Sequence, residues 1–422
     1  MASRTMHTVP LICLGFTTAT SLHFTIFGAA LPLIVSELKL DYGFVGYLVG
    51  AWIFVAALAP LMFGRVLDKL NPINNVKLIL VLASFSSILM AYSHDLITLN
   101  VARIIISFLF PFVWPISSKL VALYTSSQRY GYSTAVYNAG SLIGLAMSYV
   151  LMALSNYDWR LASLIAGLSS LFYIPILLAV WKFTIQYSPE IRVRASWKVQ
   201  TGETDDQQAL FKAYMRMAIL LALAHFCAIY TWHLLLTWLS TFLVGELSFS
   251  YTDIAVYFSS ITLISCVLEI FAGVYSDRVK RQRGRLLILF LGLLPSGLLL
   301  YLSVEYIASP TTALLFISLA TLAWRISSPS FWSIINDIIP ANYLGRVSYI
   351  YVSGAPLSGI ASSIITGNII SATGSVRIAV FISSIFTILS PVIYFIAARI
   401  GYGLKSRVRF APTALGQPKP FS

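Results

Sequence analysis

The chain has 422 residues, of which 58% are hydrophobic and only 10% charged, and its mean hydropathy is +0.83. A soluble domain carries about 25% charged residues, so a water-soluble fold is excluded, as are disordered and fibrous chains. The formal net charge of +13 would suggest nucleic acid in a soluble protein; in so apolar a chain it points to basic loops on one side of a bilayer and to no nucleic-acid partner.

A bilayer core of about 30 Å takes roughly 20 apolar residues per helix. The hydrophobic runs predict membrane helices at about 9–35, 42–66, 76–93, 97–121, 131–155 and 160–182. A second set is predicted at about 213–240, 251–275, 286–306, 311–337, 347–371 and 376–401. The first run is too long for the core of a signal peptide and reads as the first span. Between the sets lies the longest polar stretch, 183–212, with Glu190, Arg192, Arg194, Lys198, Glu203, Asp205 and Asp206. It is read as a cytoplasmic linker. The expected organisation is a six-helix bundle over 1–182, the linker, a second six-helix bundle over 213–404, and a basic tail over 405–422.

Twelve spans place both termini on one side. With both inside, only Lys39, Arg160 and Arg377 among the loop cations fall outside. The inverse orientation would translocate nearly all the others, so both termini are expected in the cytoplasm of a plasma-membrane protein. Cys13, Cys227 and Cys266 lie in apolar runs without metal-ligand or disulfide spacing, and read as small buried hydrophobes. No metal or cofactor is expected.

An internal repeat runs through the chain. Gly64-Arg65-Val66-Leu67-Asp68-Lys69 follows the second span, and Gly273-Val274-Tyr275-Ser276-Asp277-Arg278 follows the eighth. Both read G-x-x-x-D-[KR] and they lie 209 positions apart. At the same offset Glu37 falls on Glu246 and Tyr42 on Tyr251. A duplicated six-helix unit of this kind builds transporters whose site lies near the midplane between the halves.

At these residues the chain resembles the major facilitator superfamily of secondary transporters, whose loop signature is G-x-x-x-D-[RK]-x-G-[RK]-[RK]. The second copy keeps the basic tail through Arg281, Arg283 and Arg285; the first, followed by Leu70, Asn71 and Pro72, does not. Arg103, Arg129, Gly131, Trp159-Arg160, Asp337, Pro340, Gly345 and Arg346 extend the resemblance over nearly the whole chain. It implies twelve helices in two pseudo-symmetric bundles, a single-chain transporter working by alternating access, and a cavity lined by spans 1, 4, 7 and 10. It also implies that Gly64, Asp68, Lys69, Gly273, Asp277, Arg278 and Arg281 form gating loops, with Asp68 and Asp277 capping helices of the opposite half when the inner side is closed.

The candidate site residues follow from polar groups inside these spans. Arg325 lies mid-span, where a charge costs roughly 3 kcal/mol on insertion scales. It either faces the cavity and binds an anion, or makes a structural ion pair. Trp324 flanks it. Arg103 and Glu269 are candidates for proton coupling; for Arg103 the alternative is snorkelling or a bond within its own half, and for Glu269 an ion pair. Trp114 and Asn138, His23 among Thr17, Thr18, Thr20, Ser21 and Thr25, and His225 complete the set, each with a packing or buried-neutral alternative. Pro111 and Pro115 predict a bend in the fourth span.

The expectation is a secondary or facilitative transporter of a small solute, an organic or inorganic anion, with a proton or other ion as coupled partner in a symporter. The alternative is an exporter of hydrophobic or cationic compounds, disfavoured because Leu145, not proline, follows Gly144 on the fifth span. A membrane enzyme is not expected, since no H-E-x-x-H, Walker loop or clustered acid pair is present. A sensor without transport is the third alternative.

Overall fold

In a computed structural model, the structure describes residues 2–69, 71–125, 130–186, 205–278, 281–339 and 341–409. Side chains at 2–7, 61, 64–69, 122, 130–131, 183–186, 205–211, 251, 276–283, 332–333, 336–337, 341–349 and 405–409 are not among those described. The first half holds α1 (Ala2–Glu37), α2 (Tyr42–Lys69), α3 (Pro72–Ala91), α4 (Leu96–Leu109), α5 (Val113–Tyr124), α6 (Tyr130–Leu154) and α7 (Trp159–Gln186). The second holds α8 (Asp205–Gly245), α9 (Tyr251–Arg278), α10 (Arg281–Glu305), α11 (Pro310–Ile338), α12 (Ala341–Thr373) and α13 (Arg377–Arg409). Among the described residues 12 helical stretches are long and apolar enough to cross a membrane. The structure begins α8 at Asp205, inside the stretch read as linker, and residues 187–204 lie outside the described residues.

Local chemistry sets the helix ends. Asn71 accepts from the Ile73 amide at 3.1 Å with Pro72 in the first turn, so α3 starts on a cap and a residue that needs no donor. Asp95 accepts from the Thr98 amide at 2.9 Å and caps α4. The predicted bend of the fourth span is a 3-10 turn at Phe110–Phe112 that separates α4 from α5. Pro111 and Pro115 remove backbone donors there.

Twelve crossings put the start of α1 and the end of α13 at one face; the opposite one, with the α1–α2, α6–α7, α8–α9 and α12–α13 turns, is called the distal face. The duplication is visible in its turns. Lys39 and Ser248, 209 positions apart, both adopt left-handed backbone, with φ of 50° and 55°. Glu37 accepts from the Trp159 indole at 2.8 Å and from Arg160 Nη1 at 2.5 Å, tying the end of α1 to the start of α7. Its repeat partner Glu246 accepts from the Val376 amide at 2.7 Å, tying α8 to the start of α13.

The halves meet along α2 with α12 and α6 with α9, and α1 touches α8. They are shut at the distal face. Ser240 donates to the Gly28 carbonyl at 2.6 Å and Ser371 to Asp41 Oδ1 at 2.6 Å, and Tyr157 bonds Thr252. Helix backbones touch here: a Cβ on Gly28 would lie 2.2 Å from the Leu236 carbonyl oxygen. Only a residue without a side chain fits, which is how small residues let membrane helices close.

Candidate functional site

The helices bring Arg325, Glu269, Trp232, Trp324 and Ser328 into one buried cluster of the second half. Arg325 and Ser328 are three apart on α11 and share a face. The Arg325 guanidinium carbon sits 3.7 Å from the centre of the Trp232 ring on α8 and 5.1 Å from that of Trp324. The two indoles stack at 5.6 Å, and Trp324 donates to the Ala228 carbonyl at 2.8 Å. Contacts of a desolvated cation with an indole face are worth about 2 kcal/mol, comparable to the insertion cost of the charge.

Glu269 on α9 supplies the counter-charge. Its Oε1 accepts from Ser328 Oγ at 2.8 Å, and its Oε2 lies 3.6 Å from Arg325 Nη1. The pair is electrostatic without a direct hydrogen bond. Arg325 is 5% exposed and Glu269 4%, so both are inside the protein. Arg325 Nε and Nη2 have no hydrogen-bond partner among the described residues. These two nitrogens form the side-on fork that a carboxylate accepts from in bidentate fashion.

The cluster touches the other half. Cys266, one turn before Glu269, donates to the Ala139 carbonyl of α6 at 3.2 Å. Trp232 packs against the buried cluster that Cys266 forms with Ala139 and Leu142 of α6, as do Leu14 of α1 and Ile143 of α6. Motion of one half against the other therefore acts on the Trp232 cap.

Arg103 occupies a different setting in the first half. Its Nη1 donates to the Phe24 carbonyl at 3.1 Å, and its guanidinium carbon lies 5.3, 4.8 and 5.2 Å from the rings of Phe24, Phe27 and Trp52. It is 4% exposed and has no acidic partner among the described residues. It bonds within its own half, one of the two readings its position allowed.

The other predicted site residues are not gathered with these. His23 turns into the first half, its Nδ1 2.7 Å from Ser87 Oγ and its Nε2 2.8 Å from Ser170 Oγ. Both ring nitrogens are engaged by hydroxyls of its own bundle. His225 lies 3.1 Å from Tyr394 Oη and 3.2 Å from Tyr351 Oη, a buried network tying α8, α12 and α13. Trp114 donates to Asn138 Oδ1 at 3.1 Å, joining α5 to α6 at half-buried positions. Of the gating-loop residues, Gly64, Asp68, Lys69, Asp277, Arg278 and Arg281 lie outside the described side chains; Gly273 sits where an added Cβ would meet Ala135 and Pro329 at 3.9 Å. Sequence reasoning missed the Trp232 cap, the Phe24–Phe27–Trp52 cage and Ser107 below Arg103. The aromatic spacing of these spans does not distinguish a cation cage from ordinary core.

Similarity to known proteins agrees with this architecture. The chain is 22% identical over 369 residues to a probable sulfoacetate transporter, SauU, of Cupriavidus necator, covering 84% of this chain and 85% of that one. It is 22% identical to a probable galactarate/D-glucarate transporter, GudP, of Bacillus subtilis, covering 80% of each. The solved structure of a bacterial homologue of the human lysosomal transporter Spinster matches with a TM-score of 0.70 at 15% identity, over 96% of this chain and 98% of that one. The family model for the Major Facilitator Superfamily matches residues 13–363. With its twelve spans and duplicated halves, the chain belongs to the Major Facilitator Superfamily and is a membrane-spanning transporter of small molecules, not an enzyme.

Proposed function

We propose that the protein moves a small organic anion across the plasma membrane by alternating access, as a single chain with both termini in the cytoplasm and a proton as coupled ion. The observation that carries this reading is the buried, unpartnered Nε/Nη2 fork of Arg325. Trp232 covers one face of the guanidinium, which leaves in-plane approach to the fork. A carboxylate or sulfonate meets that geometry; a cation is repelled and a hydrocarbon leaves two buried donors unsatisfied. The names of the relatives, a sulfoacetate and a galactarate/D-glucarate transporter, support an acid as substrate.

Glu269 couples the proton in this reading. In the empty site its carboxylate neutralises Arg325. A substrate carboxylate at Arg325 takes over that role, and Glu269 then holds a proton, with Ser328 Oγ as its hydrogen-bond partner. The buried site is then neutral both empty and loaded, so neither state carries a bare charge through the membrane interior. The two bundles, 1–182 and 213–404, act as the moving units, and the Gly64–Lys69 end of α2 and the Gly273–Arg278 end of α9 latch the terminal face.

Thermal melting of the purified protein with anionic, neutral and cationic metabolites at two pH values, wild type beside Arg325→Gln, tests the reading. A ligand of the native state raises the melting temperature. An anion is expected to stabilise wild type and to lose at least about tenfold in affinity in the variant, the worth of a charged bidentate contact. Stabilisation of both proteins by neutral or cationic compounds alone would make Arg325 structural and favour the exporter.

A further inference from the structure

We propose that the cavity beside Arg103 is a second anion site, set where the two halves meet, which takes one small anionic group. That group is a free halide or the far end of a doubly charged substrate. The halide case is independent of the Arg325 reading; the second-end case rests on it.

Arg103 and Ser107 are four apart on α4 and project to the same side. Both line a cavity of about 30 Å³ whose opposite wall is His233, Leu236 and Thr237 of α8. Arg103 Nε and Ser107 Oγ are buried and have no hydrogen-bond partner among the described residues. Two unsatisfied donors, one of them cationic, thus converge on one small space, and no carboxylate lines it. The great majority of buried polar groups in proteins are satisfied. The volume holds one or two waters by the usual measure, which is also the size of a monatomic anion or of one end of a carboxylate.

Charge decides between a neutral and an anionic occupant. The Phe24 carbonyl accepts from Nη1, and the three ring faces offer only their quadrupoles. A water would satisfy Nε and leave the charge standing. An anion satisfies Nε and Ser107 and cancels the charge, which is the arrangement that makes a buried cation tolerable. Because α1, α2 and α4 form one wall and α8 the other, an anion here spans the interface and is released when the distal face opens.

The test is thermal melting of the full chain in nanodiscs. In one arm sodium bromide is titrated at constant ionic strength against sodium sulfate, whose anion is too large for the cavity. In the other, succinate is compared with its monomethyl ester. Each arm is run on wild type, Arg103→Gln, Ser107→Ala and Arg325→Gln. A saturable bromide shift in wild type identifies a halide; a preference for the dianion identifies the substrate's second end. Either one must weaken about tenfold or more in Arg103→Gln and less in Ser107→Ala, which keeps the cation. The bromide shift must survive in Arg325→Gln, whatever that variant does to carboxylate binding. Should Arg103→Gln not fold, Ser107→Ala and anomalous scattering from bromide beside Arg103 in wild-type crystals replace it. Absence of both effects in wild type, or their full retention in Arg103→Gln or Ser107→Ala, overturns the proposal.

Discussion

Among the described residues two arginines are buried, one in each half, and they are housed by different means. Arg325 has an acid 3.6 Å away and two indoles against it. Arg103 has three aromatic rings, one carbonyl and, among the described residues, no acid. Aromatic faces recur in both; the counter-charge does not. Ring faces help a cation leave water, but they accept no strong hydrogen bond, so each guanidinium keeps unsatisfied donors: Nε in Arg103, Nε and Nη2 in Arg325. A resident carboxylate makes the second-half site neutral when empty, whereas the first-half site reaches neutrality only with something bound.

The largest way to break this contrast is Glu269→Gln, which makes the Arg325 site resemble that of Arg103. Removing one member of a buried ion pair costs about 3 kcal/mol, so the melting temperature is expected to fall. Accumulation of the anion driven by a pH gradient should be lost, while exchange of labelled for unlabelled substrate at equal pH persists. Uptake that still follows the pH gradient in proteoliposomes would remove Glu269 from coupling. An unchanged melting temperature would show that the two indoles alone carry Arg325, as the three rings carry Arg103.

A smaller effect separates the sites by the motion that reaches them. Gly28→Ala places a methyl 2.2 Å from the Leu236 carbonyl, beside the Arg103 cavity. The crowding costs about 1–3 kcal/mol in the distally closed state, a shift of roughly five- to 150-fold toward distal opening. Electron–electron distance measurements between spin labels on the α1–α2 and α8–α9 turns should show a longer population. The Arg325–Glu269 pair lies wholly in the second half, so carboxylate affinity at Arg325 is expected to change less than bromide affinity at Arg103. Unaltered distances would mean that closure at Gly28 does not hold the distal face.

The smallest effect is at Asp41, which joins α2 to α12 at the distal rim. Its carboxylate accepts from Ser371 Oγ at 2.6 Å and from the Phe44 amide at 3.0 Å, and these donors hold its pKa below the ordinary aspartate value. A carboxyl depressed in the folded state contributes fully above its ordinary value of about 3.9, and the contribution is lost as pH falls through the lower, folded value. Distal closure is thus expected to be flat with pH between 5 and 8 at this contact. Asp41→Asn, which keeps one acceptor, should lengthen the spin-label distances only slightly. A strong pH dependence that vanishes in Asp41→Asn would show that the rim controls closure.

The primary structure by itself determined the number of crossings, their order and the duplication. Those rest on runs of about 20 apolar residues, on the siting of basic loops and on a repeat at 209 positions, all one-dimensional properties. Arg103, Glu269 and Arg325, all within spans, were legible as unusual for the same reason: each breaks an apolar run. Their partners were not. Glu269 and Arg325 are 56 positions apart on different helices, and which face of each helix turns inward leaves little trace when every face is apolar. His23 shows the consequence. Set among threonines and a serine on the first span, it reads like a cavity residue, yet it faces Ser87 and Ser170 inside its own bundle. Only tertiary packing sets the rotation of each helix. That rotation decided that Trp232 would cap Arg325, that Arg103 would meet a small cavity instead of an acid, and that Gly28 would close the distal face.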